Sequence, residues 1–287
     1  MTYAGVELGG TKCIAILADG PGQIVARESV PTTAPRETLN ALGEILAGWH
    51  CDALGVASFG PIDIDPASPT YGRMRATPKP GWAHADILAP LADAARAPAQ
   101  LDTDVNGAAF AEMRWGSGRG MQDFAYITVG TGIGVGLIVN GQPTRGFGHS
   151  ELGHLRVARL AGDDWPGSCP FHGDCVEGLA SGTALSARLG KGLADTPRDH
   201  TAWETVIWTL AQLCHAIVLT AAPRRIAIGG GVPARQPHLL ERIEAKLVES
   251  LNGYVELPLA RGYVCAPELG DDAGPLGAIA LAMQAAA

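Results

Sequence analysis

The sequence predicts an α/β protein made of two related lobes, and three observations lead there. Apolar runs of strand length alternate with stretches of helical spacing along the 287 residues, the pattern of a sheet covered by helices. Glycines gather at Gly9-Gly10, from Gly130 to Gly136 and at Gly229-Gly230-Gly231, each time after a β-rich run. Glycine is needed where the backbone takes a positive φ or lies close against a ligand, so the clusters suggest a nucleotide cleft. Finally, one pattern occurs twice. Val6-Glu7-Leu8 leads into Gly9-Gly10-Thr11, Cys13–Leu17 and Asp19-Gly20, and Tyr126–Val129 leads into Gly130-Thr131-Gly132, Val135–Val139 and Asn140-Gly141.

In order along the chain, each copy reads as strand, glycine-threonine turn, strand, hairpin, strand, because Asp-Gly and Asn-Gly favour tight hairpin turns. Between the copies, Leu54–Phe59 reads as a buried strand, and Leu101 ends another before a helix from Val105 to Trp115. The glycine-rich Gly116–Gly120 places the lobe boundary, giving lobes of residues 1–116 and 117–287. In the second lobe, Trp203, Val206, Ile207, Leu210, Leu213, Cys214, Ile217 and Val218 keep helical spacing. Ile226–Ile228 reads as a strand, Leu239–Leu251 as a helix, Tyr263–Cys265 as a strand and Gly274–Gln284 as a last helix.

The net charge of -8 argues against nucleic acid or an anionic membrane as partner. With 47% hydrophobic and 17% charged residues the chain is globular in composition. No apolar run reaches the ~18 residues of a membrane helix, and Met1-Thr2-Tyr3-Ala4 lacks a basic signal region. The expectation is a soluble cytoplasmic protein. Cys13, Cys51, Cys214 and Cys265 lie in apolar stretches and read as core residues.

The two turns are neither a Walker A loop, since Gly10-Thr11-Lys12 reverses its order, nor a Gly-x-Gly-x-x-Gly fingerprint. As a pair of related turns they can offer backbone N–H groups and the Thr11 and Thr131 hydroxyls to a triphosphate. Lys12 adds a point charge there or is a solvated strand end. Cys169-x2-His172-x2-Cys175, with His154 upstream, is a ligand set for zinc: two thiolates and two imidazoles give a neutral closed site. The bland alternative is a polar loop with free thiols, a disulfide being disfavoured in the cytoplasm. Asp104 either caps a helix or acts as a general base. Glu151 and Glu177 are solvated loop acids or polyol ligands, since a carboxylate accepts several hydrogen bonds.

Glu7-Leu8-Gly9-Gly10-Thr11-Lys12, the Gly130–Gly136 turn and Gly229-Gly230-Gly231-Val232 resemble the ATP-site elements of the ROK sugar kinases, in that family's order and over essentially the whole chain. Ser58-Phe59-Gly60-Pro61-Ile62-Asp63, Thr77-Pro78-Lys79-Pro80-Gly81-Trp82 and Asp102-Thr103-Asp104-Val105-Asn106-Gly107 resemble its bacterial fructokinase branch. Glu7 stands where most members have Asp, and Thr103 where many have Asn; both variants are similar to the fructokinase branch. The resemblance implies an actin/hexokinase-like fold (ribonuclease H-like), with the last helix packed back on the first lobe, and an ATP-dependent hexose kinase, a fructokinase first of all. It puts the catalytic base on Asp104. ATP, with Mg²⁺ placed by Glu7, falls to Gly9, Gly10, Thr11, Lys12, Thr131, Gly132, Thr183, Gly229, Gly230, Gly231 and Val232, in a cleft between the lobes. Sugar falls to Asn106, Glu151, His154 and Glu177, and structural zinc to His154, Cys169, His172 and Cys175. The roles of Lys79 and Trp82 stay unassigned. A homodimer is the family expectation. The alternatives are a kinase for mannose, glucose or an N-acetylhexosamine, and a non-catalytic sugar sensor. The family's repressors carry a basic DNA-binding segment, for which a first strand starting by Tyr3 leaves no room.

Overall fold

The computed structural model describes residues 1–77, 79–190 and 196–286. Its elements begin with β1 (Thr2–Leu8), β2 (Lys12–Asp19), β3 (Gln23–Pro31), α1 (Pro35–Ala47), β4 (Ala53–Ser58), α2 (Leu88–Ala95), β5 (Ala99–Thr103) and α3 (Asp104–Trp115). They continue with β6 (Phe124–Val129), β7 (Ile133–Val139), β8 (Gln142–Pro143), α4 (Val176–Ala180), α5 (Gly182–Leu189) and α6 (Ala202–Ala221). The last are β9 (Ile226–Gly229), α7 (Gly231–Arg235), α8 (His238–Leu251), β10 (Val264–Cys265) and α9 (Ala273–Ala285). Two compact units result: unit 1 is Met1–Arg119, Pro143–His149 and Asp271–Ala287, and unit 2 is Gly120–Gln142 and Ser150–Gly270. The short strap Pro143–His149 therefore belongs to unit 1, although it falls within residues 117–287.

Each unit has one five-stranded mixed sheet, ordered β3-β2-β1-β4-β5 in unit 1 and β8-β7-β6-β9-β10 in unit 2. The pairings correspond: β1–β2 and β6–β7 are antiparallel, β1–β4 and β6–β9 parallel, β4–β5 and β9–β10 parallel. The duplicated sequence pattern thus has a duplicated topology. The third strand of the second copy is reduced to Gln142–Pro143, where Pro143 has no N–H to extend a ladder.

In unit 1 every residue of β4 is buried, as expected of a parallel strand covered on both faces. On one face Leu39, Leu42 and Leu46 of α1 and Leu88 and Leu91 of α2 pack with Leu54 and Val56. On the other lie α3 and α9. A Cβ at Gly277 of α9 would fall 2.3 Å from the Gly107 carbonyl carbon of α3, so these two helices touch backbone to backbone and only glycine fits there.

In unit 2 the central helix is α6, whose Trp203, Val206, Ile207, Leu210, Leu213, Cys214 and Ile217 enter the core with Ile127, Val129, Ile226 and Ile228. At 20 residues α6 is long and apolar enough to cross a membrane, contrary to the expectation that no stretch is. Its apolar residues are spent on the core of unit 2, which is what its hydropathy serves.

Candidate active site

Functional groups gather at the carboxyl ends of the parallel strands, the usual ligand end of such sheets. In unit 1, Leu8, Ser58 and Thr103 stand in register across β1, β4 and β5, so Gly9 and Asp104 leave the sheet at one end. The first turn is held by its carbonyls. Gly9 N–H donates to the Lys12 carbonyl (3.1 Å), Thr32 N–H to that of Thr11 (2.9 Å), and the Thr32 hydroxyl to that of Gly9 (2.7 Å). The Lys79 ammonium donates to the Gly10 carbonyl at 2.6 Å. Among the described residues no protein acceptor takes the N–H of Gly10 or Thr11, and Lys12 is exposed.

This assigns Lys79, whose role the sequence left open: it clamps the first turn. Its ammonium lies 5.8 Å from the centre of the Phe59 ring, which meets Trp82 edge-on. Trp82 is fully buried and donates its indole N–H to the Thr33 carbonyl (2.9 Å). Pro78 of the same motif lies outside the described residues.

Glu7, the last residue but one of β1, faces the start of α9. A Cβ at Gly274 would fall 2.1 Å from its Oε1, so glycine there admits the carboxyl. Burial pushes Glu7 up to about 7; Lys12 and Arg27 oppose the rise and Asp271 adds to it.

Asp104 is the first residue of α3, partly buried, and its Oδ1 accepts the Val105 N–H (2.9 Å). The N-cap is Thr103, whose hydroxyl accepts from Asn106 N–H (3.2 Å). Of the two readings of Asp104, capping therefore falls away. Asn106, an expected sugar contact, is buried and donates one hydrogen of its side-chain amide to Asp102 Oδ1 (2.8 Å) within the loop. Asp102 is fully buried and ion-paired with Arg145.

In unit 2 the second turn is one residue shorter than the first, and Gly130 N–H donates to the Gly132 carbonyl at 2.9 Å. Gly182 N–H donates to the Gly130 carbonyl (2.7 Å) and the Thr183 hydroxyl to that of Thr131 (2.8 Å). Thr183, expected at the nucleotide, thus braces the turn. Again no protein acceptor takes the N–H of Thr131 or Gly132 among the described residues. Glu177 Oε2 accepts from Ile133 N–H (3.0 Å), which places this expected sugar ligand against the turn with one oxygen engaged. Gly229 to Val232 bridge β9 and α7 at the same sheet end, and a Cβ at Gly230 would clash with the Val129 backbone at 2.6 Å. Val232 is buried. Glu151 is exposed, beside the single turn Leu152–His154.

The donor atoms of His154, Cys169, His172 and Cys175 lie within 4.8 Å of one another. His154 Nδ1 is 3.7 Å from Cys169 Sγ and 3.6 Å from Cys175 Sγ, and His172 Nδ1 is 3.7 Å from Cys169 Sγ. Bond lengths of ~2.3 Å to sulfur and ~2.05 Å to nitrogen give a tetrahedral N···S edge of about 3.6 Å, so the cluster has the size of a zinc site. Paired hydrogen bonds between Cys169 and Gly173 close the loop between the ligands (3.1 and 2.9 Å), and Gly178 N–H points at Cys175 Sγ (3.5 Å). Burial pushes the Cys175 thiol up to about 11. Both histidines turn Nδ1 inward, leaving the His154 Nε2 edge on the outside of the cluster.

In unit 1, Arg145, Arg75 and His149 carried no sequence signal, since each contact spans residues distant along the chain. Arg75 donates to the Phe147 carbonyl (3.1 Å), and Ile62 N–H donates to His149 Nε2 (3.1 Å).

Comparison with known proteins fits this arrangement. A fructokinase from Pediococcus pentosaceus is 39% identical over 285 residues, covering 99% of each chain. A fructokinase from Zymomonas mobilis is 40% identical over 292 residues, covering 99% of this chain and 97% of that one. Among solved structures, a ROK family glucokinase from Streptomyces griseus in complex with glucose and AMPPNP superposes with a TM-score of 0.77 at 25% identity, covering 99% and 100% of the two chains. The duplicated sheets are those of the actin-like ATPase fold. The ROK family model matches residues 3–285, and the chain belongs to the ROK family.

Proposed function

We propose that this protein is an ATP-dependent hexose kinase of the cytoplasm, with D-fructose as preferred substrate and D-fructose 6-phosphate as product. The observation that carries the reading is full-length identity of 39–40% to two proteins named as fructokinases. The geometry supports it, because phosphoryl transfer asks chiefly for phosphate-binding donors and a placed carboxylate.

In this reading the N–H groups of Gly10, Thr11, Thr131 and Gly132 bind phosphate oxygens, with the two threonine hydroxyls and Lys12. Gly229, Gly230, Gly231 and Val232 shape the adenosine side. Asp104 takes the proton of the sugar 6-hydroxyl as that oxygen attacks the γ-phosphate. Glu151, the free oxygen of Glu177 and the outer edge of His154 orient the sugar. Magnesium, when bound, screens the phosphate charge, and Glu7 is the carboxylate that would hold it through water. His154, Cys169, His172 and Cys175 would hold a structural zinc, which ties down the loops that carry Glu151 and Glu177. The family resemblance adds a homodimer, which light scattering measures.

A coupled ADP-release assay over fructose, mannose, glucose and N-acetylmannosamine tests the reading. Fructose gives the highest kcat/KM if it is right. Glucose is the rival, favoured by the glucokinase neighbour, and a panel led by glucose overturns the sugar assignment. Release of ADP with none of these sugars overturns the kinase.

A further inference from the structure

We propose that Arg145 is a positioning residue of the reaction: reaching in from the strap Pro143–His149, it fixes the Asp102–Asn106 segment and thereby the aim of the Asp104 carboxylate. The proposal rests on the kinase reading, in which Asp104 is the base.

Asp102 is 0% exposed, and a buried carboxylate is costly unless paired and fully hydrogen-bonded. Both its oxygens are used. Oδ1 accepts from Thr103 N–H (2.7 Å) and from the Asn106 amide (2.8 Å), and Oδ2 accepts from the Arg145 guanidinium (2.5 Å). Thr103 in turn accepts the Asn106 N–H. Residues 102–106 are therefore a closed loop of hydrogen bonds with Asp104 at its middle and Asp102 as its hub. Among the described residues Arg145 is the one cation bonded to that hub.

Arg145 can serve as an external anchor because the strap is itself fixed to unit 1. Phe147 is held through its carbonyl by Arg75, His149 accepts from Ile62 N–H, and Arg145 and His149 form a two-residue bridge that closes the strap on itself. Arg75 also pairs with the buried Asp63 (3.5 Å). The guanidinium thus links a braced strap to the segment that carries the base. The strap runs directly into Ser150 and Glu151, so one stretch of chain bears both this anchor and a proposed sugar ligand. Removing the charge frees Asp102 to seek solvent, and the loop turns with it. A displacement of about 1 Å at a reacting group can cost up to ~100-fold in rate.

The test is a double-mutant cycle of Arg145→Met and Asp102→Asn, with Arg145→Lys as the conservative variant. It is read as kcat and KM for ATP and the best sugar, with thermal melting to verify folding. Arg145→Met should lower kcat at least roughly tenfold and leave the ATP KM within about twofold. Arg145→Lys should recover part of the loss. In the Asp102→Asn background, where no buried charge needs an anchor, Arg145→Met should cost less than about threefold. An equal loss in both backgrounds, or an unchanged kcat in Arg145→Met, overturns the proposal. If Arg145→Met does not fold, Arg145→Lys with and without Asp102→Asn is compared on the same criterion. Failure of the kinase reading looks different: the parental protein phosphorylates no sugar, before any variant is made.

Discussion

At Asp104 a helix cap and a general base compete for one side chain, and the structure separates them. Thr103 does the capping through Asn106 N–H, and the Asp104 carboxylate, one residue on, accepts the Val105 N–H. Asp104→Asn keeps size and an acceptor for that contact and removes the basic oxygen. It should lower kcat by ~10²–10⁴-fold while the melting temperature stays near the parental value; an Asn variant that phosphorylates sugar at the parental rate removes the base. The place of Asp104 at the start of a helix was legible in the sequence because its motif is contiguous, whereas the cap was not, Thr and Asp being nearly interchangeable in that role. Lys79 and Arg145 show the deeper limit. The Gly10 carbonyl and the Asp102 carboxylate that they hold are distant along the chain, and no local pattern announces such a partner.

The Cys/His loop is the element in which sequence spacing came nearest to geometry. Two cysteines and a histidine with two-residue gaps must lie close together, and a turn closed by Cys169 and Gly173 makes the gap fit. Arg159 braces the same loop without metal, donating to the carbonyls of Asp163 (2.8 Å) and Trp165 (2.7 Å) and to Asp174 (3.1 Å). Cys169→Ser should therefore take zinc content toward zero without unfolding unit 2. The metal's share of stability should go, at ~2–4 °C of melting temperature per kcal/mol in a chain of this size. Sugar KM should rise with ATP binding nearly unchanged, as elemental analysis and nucleotide titration will show. A parental protein purified without chelators and free of zinc removes the metal; parallel loss of sugar and ATP binding makes its role global. Helices were legible where one face is apolar, as in α8, whose Leu239, Ile243, Leu247 and Leu251 are buried. The two-residue β8 was not, because where a strand stops depends on what lies beside it.

For the whole molecule, acid stability draws on one strongly acidic aspartate in each unit, Asp63 and Asp163. In unit 1 the hydroxyls of Ser68 and Thr70 hold Asp63 down to about 2, with Asp65 N–H and Arg75 assisting against burial. In unit 2 burial works to raise Asp163, and hydrogen bonds from Arg188 and Thr205 outweigh it, leaving the group at about 2. An unfolded aspartate titrates near ~3.9. Both groups thus have folded values below their unfolded ones, so the unfolded chain takes up protons first as pH falls. Their stabilisation is complete above about pH 4 and is lost progressively as pH drops through 4 toward 2, roughly 2 kcal/mol for each at the limit. The urea midpoint should accordingly fall between pH 5 and pH 3. Acid would also protonate the ligands of a zinc held by the Cys/His cluster and release it, so the parental curve alone does not isolate the aspartates. Asp63→Asn and Asp163→Asn do: neither Asn titrates, and each should be less stable than the parent at pH 5 yet lose less of its midpoint on going to pH 3. The double variant should lose least. Variants whose midpoints fall as steeply as the parent's would place the acid sensitivity elsewhere, in the Cys/His loop first.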